Sequence, residues 1–126
     1  MATVYAEFGF EVSDKFLSVI NEGIELMQQI GEVHTMKTRR GTVIINYETS
    51  CSDVDYLEEK SEELCNKLEP FSKNIQTFFQ KEADKIYKSI CFVKTSFGRN
   101  PVIKIDKRLL NLAYMLQTEI DFDLFR

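Results

Sequence analysis

The stretch Thr3-Val4-Tyr5-Ala6-Glu7-Phe8-Gly9-Phe10-Glu11-Val12 decides the fold class. Val4, Ala6, Phe8, Phe10 and Val12 fill alternate positions, and Thr3, Tyr5, Glu7, Gly9 and Glu11 fill those between. Side chains on a strand point alternately to opposite sides, so this spacing predicts a β-strand with one buried face. Gly9 inside it fits a bulge or a close backbone approach.

Downstream, the period changes. Phe16, Leu17, Ile20, Ile24, Met27 and Ile30 recur at three- and four-residue steps, which predicts an amphipathic helix capped by Ser13 and stopped by Gly31, with Gly23 a point where it could break. Glu32–Thr38 and Thr42–Glu48 flank Arg39-Arg40-Gly41, a hairpin pattern with glycine in the turn. Ser50–Asp55 reads as a polar joint supplying the next cap. Leu57, Leu64, Cys65 and Leu68 form a helical stripe that ends at Glu69-Pro70. Phe71, Ile75, Phe78 and Phe79 predict a further short helix to about Glu82. Ile86–Phe97 reads as a long strand, Gly98–Pro101 as a turn and Val102–Ile105 as a short strand. Asp106 caps a helix carrying Leu109, Leu112, Ala113 and Leu116. Glu119–Leu124 alternates again, with Ile120, Phe122 and Leu124 on one face. The expectation is a single α+β domain over residues 1–126. Its sheet is antiparallel or mixed, with helices mainly on one face and ferredoxin-like strand–helix–strand units at the two ends.

The chain has 126 residues, 44% of them hydrophobic, enough for a core without disulfides or metal. No secretory signal pattern and no membrane-length apolar run are present. Cys51, Cys65 and Cys91 are odd in number and scattered, which fits a reducing, cytoplasmic setting. His34 is the single histidine, and neither zinc nor another cofactor is expected. The five glycines are isolated, which excludes a phosphate-cradling loop, and no nucleophile–base pair is legible, so no enzyme is predicted. Asp121 and Asp123 point the same way on the last strand. That spacing suits a divalent cation or a raised carboxyl pKa, but equally the solvent face of a half-exposed strand.

Charge is unevenly distributed about a net −4. Residues 53–72 hold seven acids against two bases. Asp53, Asp55, Glu58, Glu59, Glu62 and Glu63 are the candidate partner-binding residues, because four-residue spacing aligns Asp55 with Glu59, Glu58 with Glu62, and Glu59 with Glu63. Residues 73–108 hold nine bases against three acids. Lys88, Lys94, Arg99, Lys104, Lys107 and Arg108 therefore define the alternative, a nucleic-acid or small-ligand module using the basic 85–108 region.

The chain resembles the bacterial domain of unknown function numbered 4279. The carrying residues are Tyr5-Ala6-Glu7-Phe8, Leu57, Leu64, Leu68-Glu69-Pro70, Ser89-Ile90-Cys91-Phe92-Val93, Pro101-Val102-Ile103-Lys104-Ile105-Asp106, Leu109-Leu110, Leu112-Ala113 and Glu119-Ile120-Asp121-Phe122-Asp123-Leu124. That family carries a tryptophan in its early strands, and this chain has none. Some members resemble toxin-immunity proteins. The resemblance implies a small cytoplasmic immunity protein and transfers no catalytic residue. Such a protein would neutralise a bacterial toxin domain, a nuclease as in contact-dependent growth inhibition, by occluding its active site. The expected partner is a cognate protein toxin rather than a membrane or a nucleic acid. A homo-oligomer of unknown role is a further alternative.

Overall fold

The computed structural model describes residues 2–95 and 98–124. The elements in chain order are β1 (Ala2–Ser13), α1 (Leu17–Ile30), β2 (Val33–Lys37), β3 (Thr42–Glu48), β4 (Ser52–Val54) and α2 (Glu58–Leu68). A 3-10 turn, Glu69–Phe71, leads into α3 (Ser72–Lys81), β5 (Ile86–Lys94), α4 (Lys107–Leu116) and β6 (Glu119–Leu124). The fold is α+β, with a six-stranded mixed sheet in the order β2-β3-β1-β5-β6 and β4 paired to the start of β1.

The alternation in β1 fixes everything around it. Val4, Ala6, Phe8, Phe10 and Val12 are all buried. Antiparallel pairing sets Phe8 against Ile90 on β5 and Tyr47 on β3, so the buried side chains of all three strands share one face. The four helices cover that face. From α3, Phe78 and Phe79 pack their rings on Phe10 and Phe8, with centroids 5.4 Å and 5.8 Å apart. Fully burying a side chain of this size contributes about 1.5–3 kcal/mol. Gly23 does not break α1. A Cβ there would collide with the Phe10 ring, so the glycine brings the helix down onto β1.

The strand–helix–strand unit at the beginning is of the split, ferredoxin-like kind: β1 and β2 run parallel with β3 between them. The unit at the end is direct, because β6 pairs parallel to β5 after the α4 crossover. The two units are therefore not copies of one another.

Local expectations change in four places. Pairing with Thr42 keeps Ser13 in β1, so Ser13 does not cap α1; the helix starts at Leu17 with no side-chain cap. Ser50–Asp55 is not simply a joint, since Ser52–Val54 pairs with Ala2–Val4, and no polar side chain caps α2. The Thr49 backbone supports this switch: its N–H donates to the Ala6 carbonyl at 2.9 Å, while its hydroxyl accepts from the Ala6 N–H at 2.9 Å. Val102–Ile105 forms no strand, only a single bridge between Val102 and Tyr56. The long strand ends at Lys94, and Ser96 and Phe97, to which it was expected to extend, lie outside the described residues. Asp106 does cap α4, accepting from the Leu109 N–H at 2.8 Å, and Gly41 turns the hairpin with φ +80, a conformation glycine adopts without a Cβ clash.

Candidate functional site

The register that buries Phe8 sends its neighbours to the opposite side of the sheet. That face carries Glu7 and Glu11 from β1 and Glu48 from β3. It also carries Asp53 from β4, and Glu119, Asp121 and Asp123 from β6. Opposite Glu7 on one side stands Glu48, and on the other Cys91, which itself lies beside Asp121. Among the described strand residues, no lysine or arginine shares this face. The strand lysines Lys37, Lys88 and Lys94 register with Val43, Phe10 and Val4, which puts them on the helix side.

This sorting perturbs the groups at its centre. Burial pushes the Glu7 carboxyl above the usual carboxylate range, and Glu48 and Asp123 add to the effect. The Cys91 thiol is pushed up to about 11 by burial and by Glu7, Asp121 and Asp123. A thiol in that state is protonated near neutrality and a poor nucleophile. The remaining acids make light local contacts. Glu11 accepts from Thr42 Oγ1 at 2.7 Å, Glu119 from the Tyr87 hydroxyl at 2.7 Å, and Asp53 from Thr3 Oγ1 at 2.6 Å. His34 stands 3.9 Å from Glu48.

The same face holds a groove of about 330 Å³ above Gly9. Asn46 and Ser89 flank its Gly9 floor, Ile44 and Tyr87 flank Glu11 at one end with Met36 beside Ile44, and Glu7 stands at the other end. A Cβ on Gly9 would collide with Asn46 Oδ1 and the Ile45 carbonyl oxygen. The glycine thus answers a close backbone approach by β3.

The acidic helix predicted from spacing divides into two kinds of residue. Glu59 and Glu62 are exposed and Glu58 is half-buried. Glu63 is drawn inward: it accepts from the Ser50 N–H and hydroxyl, both at 2.9 Å, and from Lys60 Nζ at 2.9 Å. Burial alone would raise its pKa, but the bonds from Lys60 and Ser50 outweigh this and hold the carboxyl below the usual range. Lys60 is itself buried and donates to the Ser50 carbonyl at 2.7 Å. Glu58 and Glu63 stand about 140° apart around the helix, so the row does not form one flat face. Asp53 belongs to the sheet instead. Asp55 is exposed, and its backbone carbonyl accepts from the Val102 N–H at 2.7 Å.

Three cations of the basic region are engaged within the chain, while Arg99, Lys104 and Lys107 are exposed. Lys94 is buried, donating to Gly98 O and Asn100 Oδ1. Lys88 lies 5.0 Å from the Phe79 ring centroid, and Arg108 is held by Glu69 and Asn66. The thiols also stay apart from the imidazole. Cys65 is buried, and Cys91 is separated from His34 by β3 and β1, about 14 Å at the usual strand spacing. Among the described residues no group of three or more His, Cys, Asp or Glu is arranged to hold a metal ion, and no helix is long and apolar enough to cross a membrane.

No family model, curated protein or solved structure matches this chain.

Proposed function

We propose that this chain is a binding protein of the immunity type, which neutralises a basic toxin domain by covering its active site with the acidic open face of the sheet. One observation carries the reading: among the described residues, seven carboxylates from four strands share a face that no helix covers and no strand lysine or arginine enters. A nuclease is basic where it grips phosphate, so a surface of fixed carboxylates competes for the same cations. The field of such a face steers encounter and raises the association rate, most strongly at low salt. Asp53 belongs to this docking face. Glu58, Glu59 and Glu62, with Asp55 nearby, add to the field from α2, while Glu63 keeps Lys60 and Ser50 in place.

The test is co-expression in a bacterial host with the C-terminal domain of the protein encoded beside this chain. Growth arrest by that domain alone, relieved by the chain, is the expected result. A harmless neighbouring domain, or arrest that the chain does not relieve, would overturn the reading.

A further inference from the structure

We infer that the groove above Gly9 receives an arginine side chain from an extended basic segment of the partner; this rests on the docking reading above and names its anchor point. Three features select the occupant. The groove is apolar and aromatic at its Glu11 end, where Met36 and Ile44 stand on one side and Tyr87 on the other, and its floor at Gly9 has no side chain. The aliphatic stem of the incoming side chain lies from this end across the Gly9 floor, against Tyr87, which is 57% exposed. The ends are anionic. Glu7 and Glu11 stand about 13 Å apart along β1, so a stem lying over Gly9 brings its guanidinium to one of them.

Charge complementarity is strongest at the Glu7 end. Glu7 faces Glu48 across the pair with β3, and a guanidinium offers enough donors to satisfy two carboxylates at once. The cation would relieve the repulsion between these two acids. Lysine fits less well, because its compact, strongly hydrated ammonium cannot make the bidentate contact. The cavity between α1 and α3, about 460 Å³, lacks this complementarity: Glu22 there already pairs with Lys81.

The experiment is an amide NMR titration of the full chain with hexa-arginine and, separately, hexa-lysine. Hexa-arginine is expected to shift Gly9, Ile44, Asn46, Tyr87 and Ser89, and to bind more tightly than hexa-lysine. The double variant Glu7→Gln, Glu11→Gln should weaken hexa-arginine about tenfold. Removing two charges from the helix side, Glu25→Gln with Asp84→Asn, should weaken it less than twofold. Shifts centred on residues 58–63, equal losses in the two double variants, or equal binding of the two peptides would overturn the groove assignment. Relief of growth arrest without groove binding would leave the immunity reading standing; groove binding without relief would do the reverse.

Discussion

The two faces of this one sheet are built from the same strands yet obey opposite rules. On the covered face, the core side chains of β1, β3 and β5 are buried and the strand lysines are engaged one at a time, Lys94 by oxygen acceptors, Lys88 over an aromatic ring and Lys37 by Asp14. On the open face, carboxylates accumulate with no lysine or arginine among the described strand residues, and burial at the centre is unfavourable to the charge of Glu7. Burial stabilises the covered side, and at the centre of the open side it disfavours the charged form of Glu7. Glu7 and Phe8, adjacent on β1, therefore respond to mutation with opposite sign.

The largest contrast is at Phe8. Phe8→Ala should cost about 3–5 kcal/mol, as expected for a large-to-small change in a packed core, measured by urea denaturation. Gly9→Ala is next, at about 1–3 kcal/mol, because the added methyl group meets the backbone of β3; amide exchange should quicken across Gly9, Asn46 and Ile45. A loss confined to the groove, with the β1–β3 pairing unchanged, would contradict that account.

Glu63→Gln sharpens the comparison between the sheet face and α2. Lys60 loses its carboxylate partner but keeps Ser50, and the cost at neutral pH should be about 2 kcal/mol. Glu63 has a lowered folded pKa, so its contribution is present above the unfolded value and lost as pH falls through the folded one.

Glu7→Gln is the smallest effect and the opposite one. The folded Glu7 carboxyl lies above its unfolded value, so the folded state holds the proton more tightly. The stability that this gives is full below the unfolded pKa and disappears as pH rises through the folded one. Removing the charge should leave the protein slightly more stable near neutrality, by less than about 1 kcal/mol, and remove this part of the pH dependence. Thermal melts from acid to neutral pH check both signs.

Local periodicity made most of the elements legible. The alternation of Val4 to Val12 and the capping Asp106 speak for themselves in sequence, because neighbours within a few residues determine them. What was not legible depended on pairing. Ser13 looks like a cap until Thr42 is known to stand opposite it, and Ser52–Val54 gains a strand only from β1. The site behaves likewise. The carboxylates of α2 stand out because they are close in sequence, yet Glu63 is consumed by Ser50 and Lys60. The open face draws on residues from Glu7 to Asp123. One hint was present, since Glu7 and Glu11 share a side of β1 and Asp121 and Asp123 share a side of β6. Only the register between β1, β5 and β6 shows that these are the same side.

The most direct test is to compare amide relaxation caused by a cationic and a neutral nitroxide of equal size, at low salt. Enrichment of the cation over Glu7, Glu11, Cys91 and Asp121, exceeding that over Glu59 and Glu62 and fading at high ionic strength, is the predicted result. Equal relaxation by the two probes on the open sheet face, or a maximum over α2, would contradict it.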